Sequence, residues 1–166
     1  AVAQTYLEDH PAPGGVLLAS MPPAGVLATT LRIARRHPLQ FAQVNLTFSL
    51  YPLVATPALA REAFFSAAMP AEQVNAYARR LQDESYLGFL DMLAFDLPRP
   101  ARVKAPMLVL GGSNDTVFHP AEVEATARAY RTQAVIFPDM AHDMMLEAGW
   151  QAVAERMAEW LVAAGG

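Results

Sequence analysis

Cysteine is absent from the 166 residues, and with it go disulfide staples, thiolate catalysis and cysteine-based zinc sites. That absence fits a reducing compartment, and the cytoplasm is the expected location. Charge is scarce as well: Asp, Glu, Lys and Arg make up 17% of the chain, the formal net charge is −4 and the pI is about 5.5. Basic residues run no further than the pairs Arg35-Arg36 and Arg79-Arg80, so there is no footprint for a phosphate backbone and no nucleic acid is expected as a partner. Long apolar runs are missing too. Each is broken by Pro, Arg, His or Gln well short of the roughly 20 residues that cross a bilayer, so no membrane span is expected. No HExxH motif occurs, and no His/carboxylate spacing suggests a metal site, which leaves no expected metal and no other cofactor.

What the chain has in abundance is apolar surface: 54% of its residues are hydrophobic and its mean hydropathy is +0.19. That composition opposes disorder and implies extensive burial, and 18.0 kDa suits one compact core. The chain opens on Ala1-Val2-Ala3-Gln4, with neither a Met nor a basic-then-apolar leader, so it reads as an internal piece of a longer protein.

Residues 1–10 carry Val2, Tyr6 and Leu7 at helical spacing and stop at Pro11-Ala12-Pro13-Gly14-Gly15. Residues 16–20, 107–110 and 134–137 are short continuous apolar runs bounded by Gly or Pro, the pattern of strands buried on both faces of a parallel sheet. Between the first two, residues 25–97 read as helices punctuated by Pro38, Pro52, Pro57 and Pro70, with Val74, Tyr77 and Leu81 on one face and Asp83 as an expected N-cap. Pro120 opens a further helix, and Trp150, Val153, Met157 and Leu161 stripe a terminal one. Alternating strands and amphipathic helices predict an α/β fold with parallel strands and flanking helices. The expected division is residues 1–24 for a core helix and strand, 25–98 for a helical insert, and 99–166 for a C-terminal core.

Asp115 follows the second strand in Gly112-Ser113-Asn114-Asp115, and His142 follows the third in Asp139-Met140-Ala141-His142. Each alone has a plain alternative, Asp115 as a turn cap and His142 as a surface loop residue. Together, on consecutive strands of an open sheet, they put an acid and a base on the rim where ligands collect. A carboxylate on imidazole Nδ1 fixes the tautomer and leaves Nε2 to take a proton from a nucleophile.

LVLGGSNDTVFHP and FPDMAHDMM, with a Trp-containing terminal helix, resemble the acid and histidine segments of the α/β-hydrolases, in the chain order Asp then His. The resemblance spans nearly the whole chain and is nearest to the lysophospholipase, monoacylglycerol lipase and carboxylesterase branch. It implies a partial α/β-hydrolase fold, a helical cap over residues 25–98, and Asp115 and His142 as triad members of a serine hydrolase. The departure concerns the nucleophile: Ser20, Ser49, Ser66, Ser85 and Ser113 all lack the GxSxG elbow. The resemblance places that elbow just ahead of Ala1, in an upstream segment of well over 50 residues with about five more strands, so the 166 residues alone are expected to be inactive.

Ser20 precedes Met21-Pro22-Pro23, which cannot start the helix an elbow needs. Asp139 and Asp143 are too near His142 in sequence to point along Nδ1, and His10, His37 and His119 read as helix-end or turn residues. Met21, Met140 and Met144 are candidates to line an adaptable acyl pocket, with core packing as the alternative. The substrate expected from the resemblance is a small apolar ester or acyl compound. Two other readings stand beside it: a cofactor-free haloperoxidase or C–C hydrolase using the same triad, and a non-catalytic α/β binding or scaffold module.

Overall fold

The computed structural model describes residues 2–164. Strands β1 (Gly15–Leu18), β2 (Met107–Gly112) and β3 (Ala134–Phe137) form a parallel sheet in the order β1-β2-β3, with Leu17 opposite Val109 and Leu110 opposite Val135. Side chains alternate between the two faces of β2. Met107 and Val109 pack with Leu17, Val123, Ala127 and Tyr130 beneath helix α7 (Pro120–Ala129), joined by Leu7 of α1 (Val2–Asp9). Leu108 and Leu110 pack with Ala19, Met144 and Val153 beneath α8 (Trp150–Ala164). Helices on both faces of a parallel sheet are the α/β arrangement that the alternating pattern predicts. Burying side chains such as Leu110 and Val109 contributes about 1.5–3 kcal/mol each.

Only β2 is buried at every residue, whereas β1 and β3 are largely half-buried. The apolar runs predict full burial for all three; the outer two depart because each pairs on one side only among the described residues. β1 is also shorter than expected. Ala19 adopts a left-handed φ of 42° that turns the chain, although its N–H still donates to the Leu110 carbonyl at 2.9 Å.

Helices α2 (Leu27–Arg36), α3 (Pro38–Thr47), α4 (Pro57–Phe64), α5 (Ala71–Ala78) and α6 (Tyr86–Leu90) lie between β1 and β2, the last running into a π-helical turn over Asp91–Phe95. Pro38 and Pro57 sit in first turns, where the missing N–H costs nothing. Two expectations change. Leu81 falls beyond α5, and Ser85, not Asp83, caps α6 by accepting from the Gly88 N–H. Asp83 instead accepts from the N–H groups of Leu50 and Tyr51, and a hydrogen bond from Ser49 is the first cause of its carboxyl lying below its usual range. The two ends of the helical segment meet: the Val26 N–H donates to the Met92 carbonyl at 3.1 Å, and a Cβ on Gly25, at φ 84°, would come within 2.9 Å of the Met92 and Leu93 carbonyls. Only glycine permits that closure.

Candidate active site

The loops after β2 and β3 are joined by backbone geometry before any catalytic side chain is considered. Ser113 N–H donates to the Phe137 carbonyl (2.9 Å), Asn114 N–H to the Met140 carbonyl (2.8 Å), and Asp139 N–H to Ser113 Oγ (2.9 Å). Gly112 allows the approach, since a Cβ there would lie 2.8 Å from the Ala141 carbonyl and nearer still to that of Met140. Asp139 makes the return turn at φ 58°, a conformation Asp tolerates better than most residues.

Asp115 is buried, and its two carboxylate oxygens divide the work. Oδ1 accepts from the N–H groups of Val117 (2.8 Å) and Phe118 (2.9 Å); Oδ2 lies 2.9 Å from His142 Nδ1. Turn cap and histidine partner, weighed as alternatives from sequence, are one arrangement. With a proton on Nδ1 facing the carboxylate, Nε2 is the free ring nitrogen, and it has no hydrogen-bond partner among the described residues. The ring sits between Phe118 (centroids 5.5 Å apart) and Phe64 (5.8 Å), with its side chain 19% exposed. This apolar sandwich strengthens the carboxylate–imidazole interaction by excluding water from it.

The acid loop is anchored to the helical segment. Val117 carbonyl accepts from Thr29 Oγ1 and Arg32, each at 2.7 Å, and Thr116 Oγ1 donates to the Glu62 carbonyl at 2.7 Å. Beside it lies a groove of about 440 Å³ whose walls include Arg32, Ile33, Leu59, Glu62, Thr116 and Val117. None of the three methionines lines it. Met140 and Met144 pack in the cluster beneath α8, while Met21 is in the cluster on the other face of the sheet.

The remaining candidates have other partners. Ser20 Oγ accepts from Gln4 Nε2 (2.7 Å), Ser113 belongs to the loop junction, and no serine is hydrogen-bonded to His142 among the described residues. His119 caps α7 with Glu122, His37 pairs with Glu62 at 2.8 Å, and His10 stacks on Tyr6. No group of three or more His, Cys, Asp or Glu residues that could hold a metal occurs among the described residues. Asp143 donates its backbone N–H to the Phe64 carbonyl at 3.0 Å, and burial, only partly offset by His142, raises its carboxyl above the usual range.

Two participants escaped sequence reasoning. Phe118 flanks the ring from inside the motif that singled out Asp115. Glu147, 3% exposed, accepts from Ser66 N–H and Oγ–H and from Ala141 N–H. The available signal was a lone carboxylate in the apolar stretch MMLEAGW.

No family model matches the sequence, and it has no significant match to a curated protein. Solved structures do resemble it. A Mycobacterium tuberculosis protein named as a non-heme bromoperoxidase is 18% identical with a TM-score of 0.72, over 98% of this chain and 63% of that one. A Paleococcus ferrophilus monoacylglycerol lipase is 20% identical with a TM-score of 0.59 (97% and 63%), and a Thermogutta terrifontis esterase 21% identical with a TM-score of 0.58 (92% and 56%). The chain thus spans less than two thirds of each of these proteins. Its parallel sheet, the helices on both faces and the likeness to bromoperoxidase, esterase and lipase structures show that the chain has the α/β-hydrolase fold, in part.

Proposed function

We propose that this chain is the C-terminal part of a serine hydrolase that cleaves an ester or similar acyl bond, with residues 25–98 as its helical cap. The observation that carries the reading is the 2.9 Å contact between Asp115 Oδ2 and His142 Nδ1 at the ends of adjacent parallel strands, with Nε2 left free. A serine from outside the 166 residues attacks the acyl carbon, His142 Nε2 takes its proton and returns it to the leaving alkoxide, and Asp115 holds the tautomer and stabilises the imidazolium. The apolar character of the chain favours an acyl or alkyl substrate. Met21, Met140 and Met144 are each buried in a core cluster, which supports their packing alternative over a role in lining an acyl pocket. No helix among the described residues is long and apolar enough to cross a membrane.

In the complete protein, His142→Ala lowers turnover of a p-nitrophenyl ester by about 10³-fold or more, and Asp115→Asn by a comparable factor, with the fold retained. Damage of the same size from Asp139→Asn would reassign the acid. A haloperoxidase reading draws support from the name of one structural neighbour and would use the same residues. Assaying the complete protein with bromide, peroxide and a carboxylic acid beside the ester assay separates the two.

A further inference from the structure

We infer that Glu147 is a positioning residue for His142, coupling the histidine loop to the segment Phe64-Phe65-Ser66 of the helical insert. The inference rests on the catalytic reading of His142 given above. Glu147 is 3% exposed, yet among the described residues it is held by no cation: its partners are the Ser66 N–H at 2.6 Å and the Ala141 N–H at 3.4 Å on Oε1, and the Ser66 hydroxyl at 2.8 Å on Oε2. A buried carboxylate so placed needs every one of those donors. Ala141 is the residue before His142, and Ser66 is two residues beyond Phe64, whose ring packs on the imidazole.

The same two segments are joined again by the Asp143 N–H to the Phe64 carbonyl, at 3.0 Å. Leu146 completes the contact by packing against the cluster of Phe65, Met69 and Val74. One side chain therefore fixes the histidine loop on one side and the aromatic wall of its ring on the other. Asp115 sets the direction of Nδ1, and Glu147 sets where the ring sits along that direction. The charge of Glu147 is dispensable in this arrangement. A Gln at 147 could accept both N–H groups on its oxygen and donate to the Ser66 oxygen, whereas an Ala would leave two buried N–H groups unpaired.

The test uses the complete protein with Glu147→Ala, Glu147→Gln and Ser66→Ala. The ring is read directly from the low-field NMR signal of the His142 Nδ1 proton bonded to Asp115, a measurement independent of turnover. The expected result is loss of that signal in Glu147→Ala, with kcat down about 10- to 100-fold per folded molecule and KM little changed, and return of both signal and kcat in Glu147→Gln. Ser66→Ala gives a smaller loss of the same kind. A folded Glu147→Ala that keeps the signal overturns the inference, and if that variant does not fold, Ser66→Ala with unchanged signal and kcat does so. If the signal behaves as expected but wild type and His142→Ala turn over the ester equally, the function is refuted and the positioning stands.

Discussion

At the scale of residues, the site gathers three carboxylates close to one imidazole: Asp115 in direct contact, Asp143 next in sequence, and Glu147 behind the loop. Only Asp115 has a hydrogen-bond geometry that serves the ring. Asp143 is the costly member, because burial raises its carboxyl above the ordinary value of 3.8, with Asp115 and Glu147 adding to the effect against the opposing pull of His142. The folded state therefore holds this proton more tightly than the unfolded state, and stability is lost as pH climbs from 3.8 through the raised folded value. Asp143→Asn should accordingly raise Tm at pH 7 and leave it unchanged below pH 3.8, which thermal melts of the complete protein across that range would show. An equal gain at both ends would mean that packing, not ionisation, is responsible. The apolar runs that precede Asp115 and His142 mark both loops in the sequence, but nothing local marks Glu147, whose partner Ser66 is 81 positions away.

At the scale of elements, the ends of β2 and β3 are the decisive junction. Gly112 is the last residue of β2, and its lack of a side chain lets the Met140–Ala141 backbone pass across it toward His142. Gly112→Ala should cost about 1–3 kcal/mol of stability, since rigid backbone and not a flexible side chain must move. Turnover should fall about 10- to 100-fold because the displaced backbone leads directly into His142. Gly88→Ala is the control: in α6 its Cβ would meet only Ser85 side-chain atoms, the nearest at 3.4 Å, so stability should hold or rise by about 0.5–1 kcal/mol. Chemical denaturation and ester turnover of both variants check the contrast. The elements themselves were legible where periodicity and proline agree, as in α4 and α7, and misread at Asp83, where Ser85 two residues on is the cap and only the fold of the Leu50-Tyr51 turn draws Asp83 away.

At the scale of the molecule, β1 pairs only with β2 among the described residues, and apolar residues at both ends of the chain, including Val2, Tyr6, Leu161 and Val162, are exposed. Under the proposed function this surface is where the segment bearing the nucleophile packs. Residues 1–166 expressed alone should therefore bind ANS, associate through the free strand edge and fail to react with a fluorophosphonate probe. Labelling of a soluble, cooperatively folding monomer would place the nucleophile within these residues and end the fragment reading. The same logic predicts that the probe labels the complete protein at a serine upstream of Ala1.

The sequence by itself determined the parallel strands, the helices that flank them and the two loops that bear Asp115 and His142, because continuous apolar runs, helical periodicity and proline or glycine stops are local signals. Tertiary structure alone decided how those loops meet. The junction through Gly112, the Phe64 and Phe118 walls of the imidazole, the Ser66–Glu147 link and the burial of Met21 and Met144 on opposite faces of the sheet all join residues distant in the chain. Such contacts depend on how packed elements approach one another in space, and no periodicity along a single chain encodes that distance.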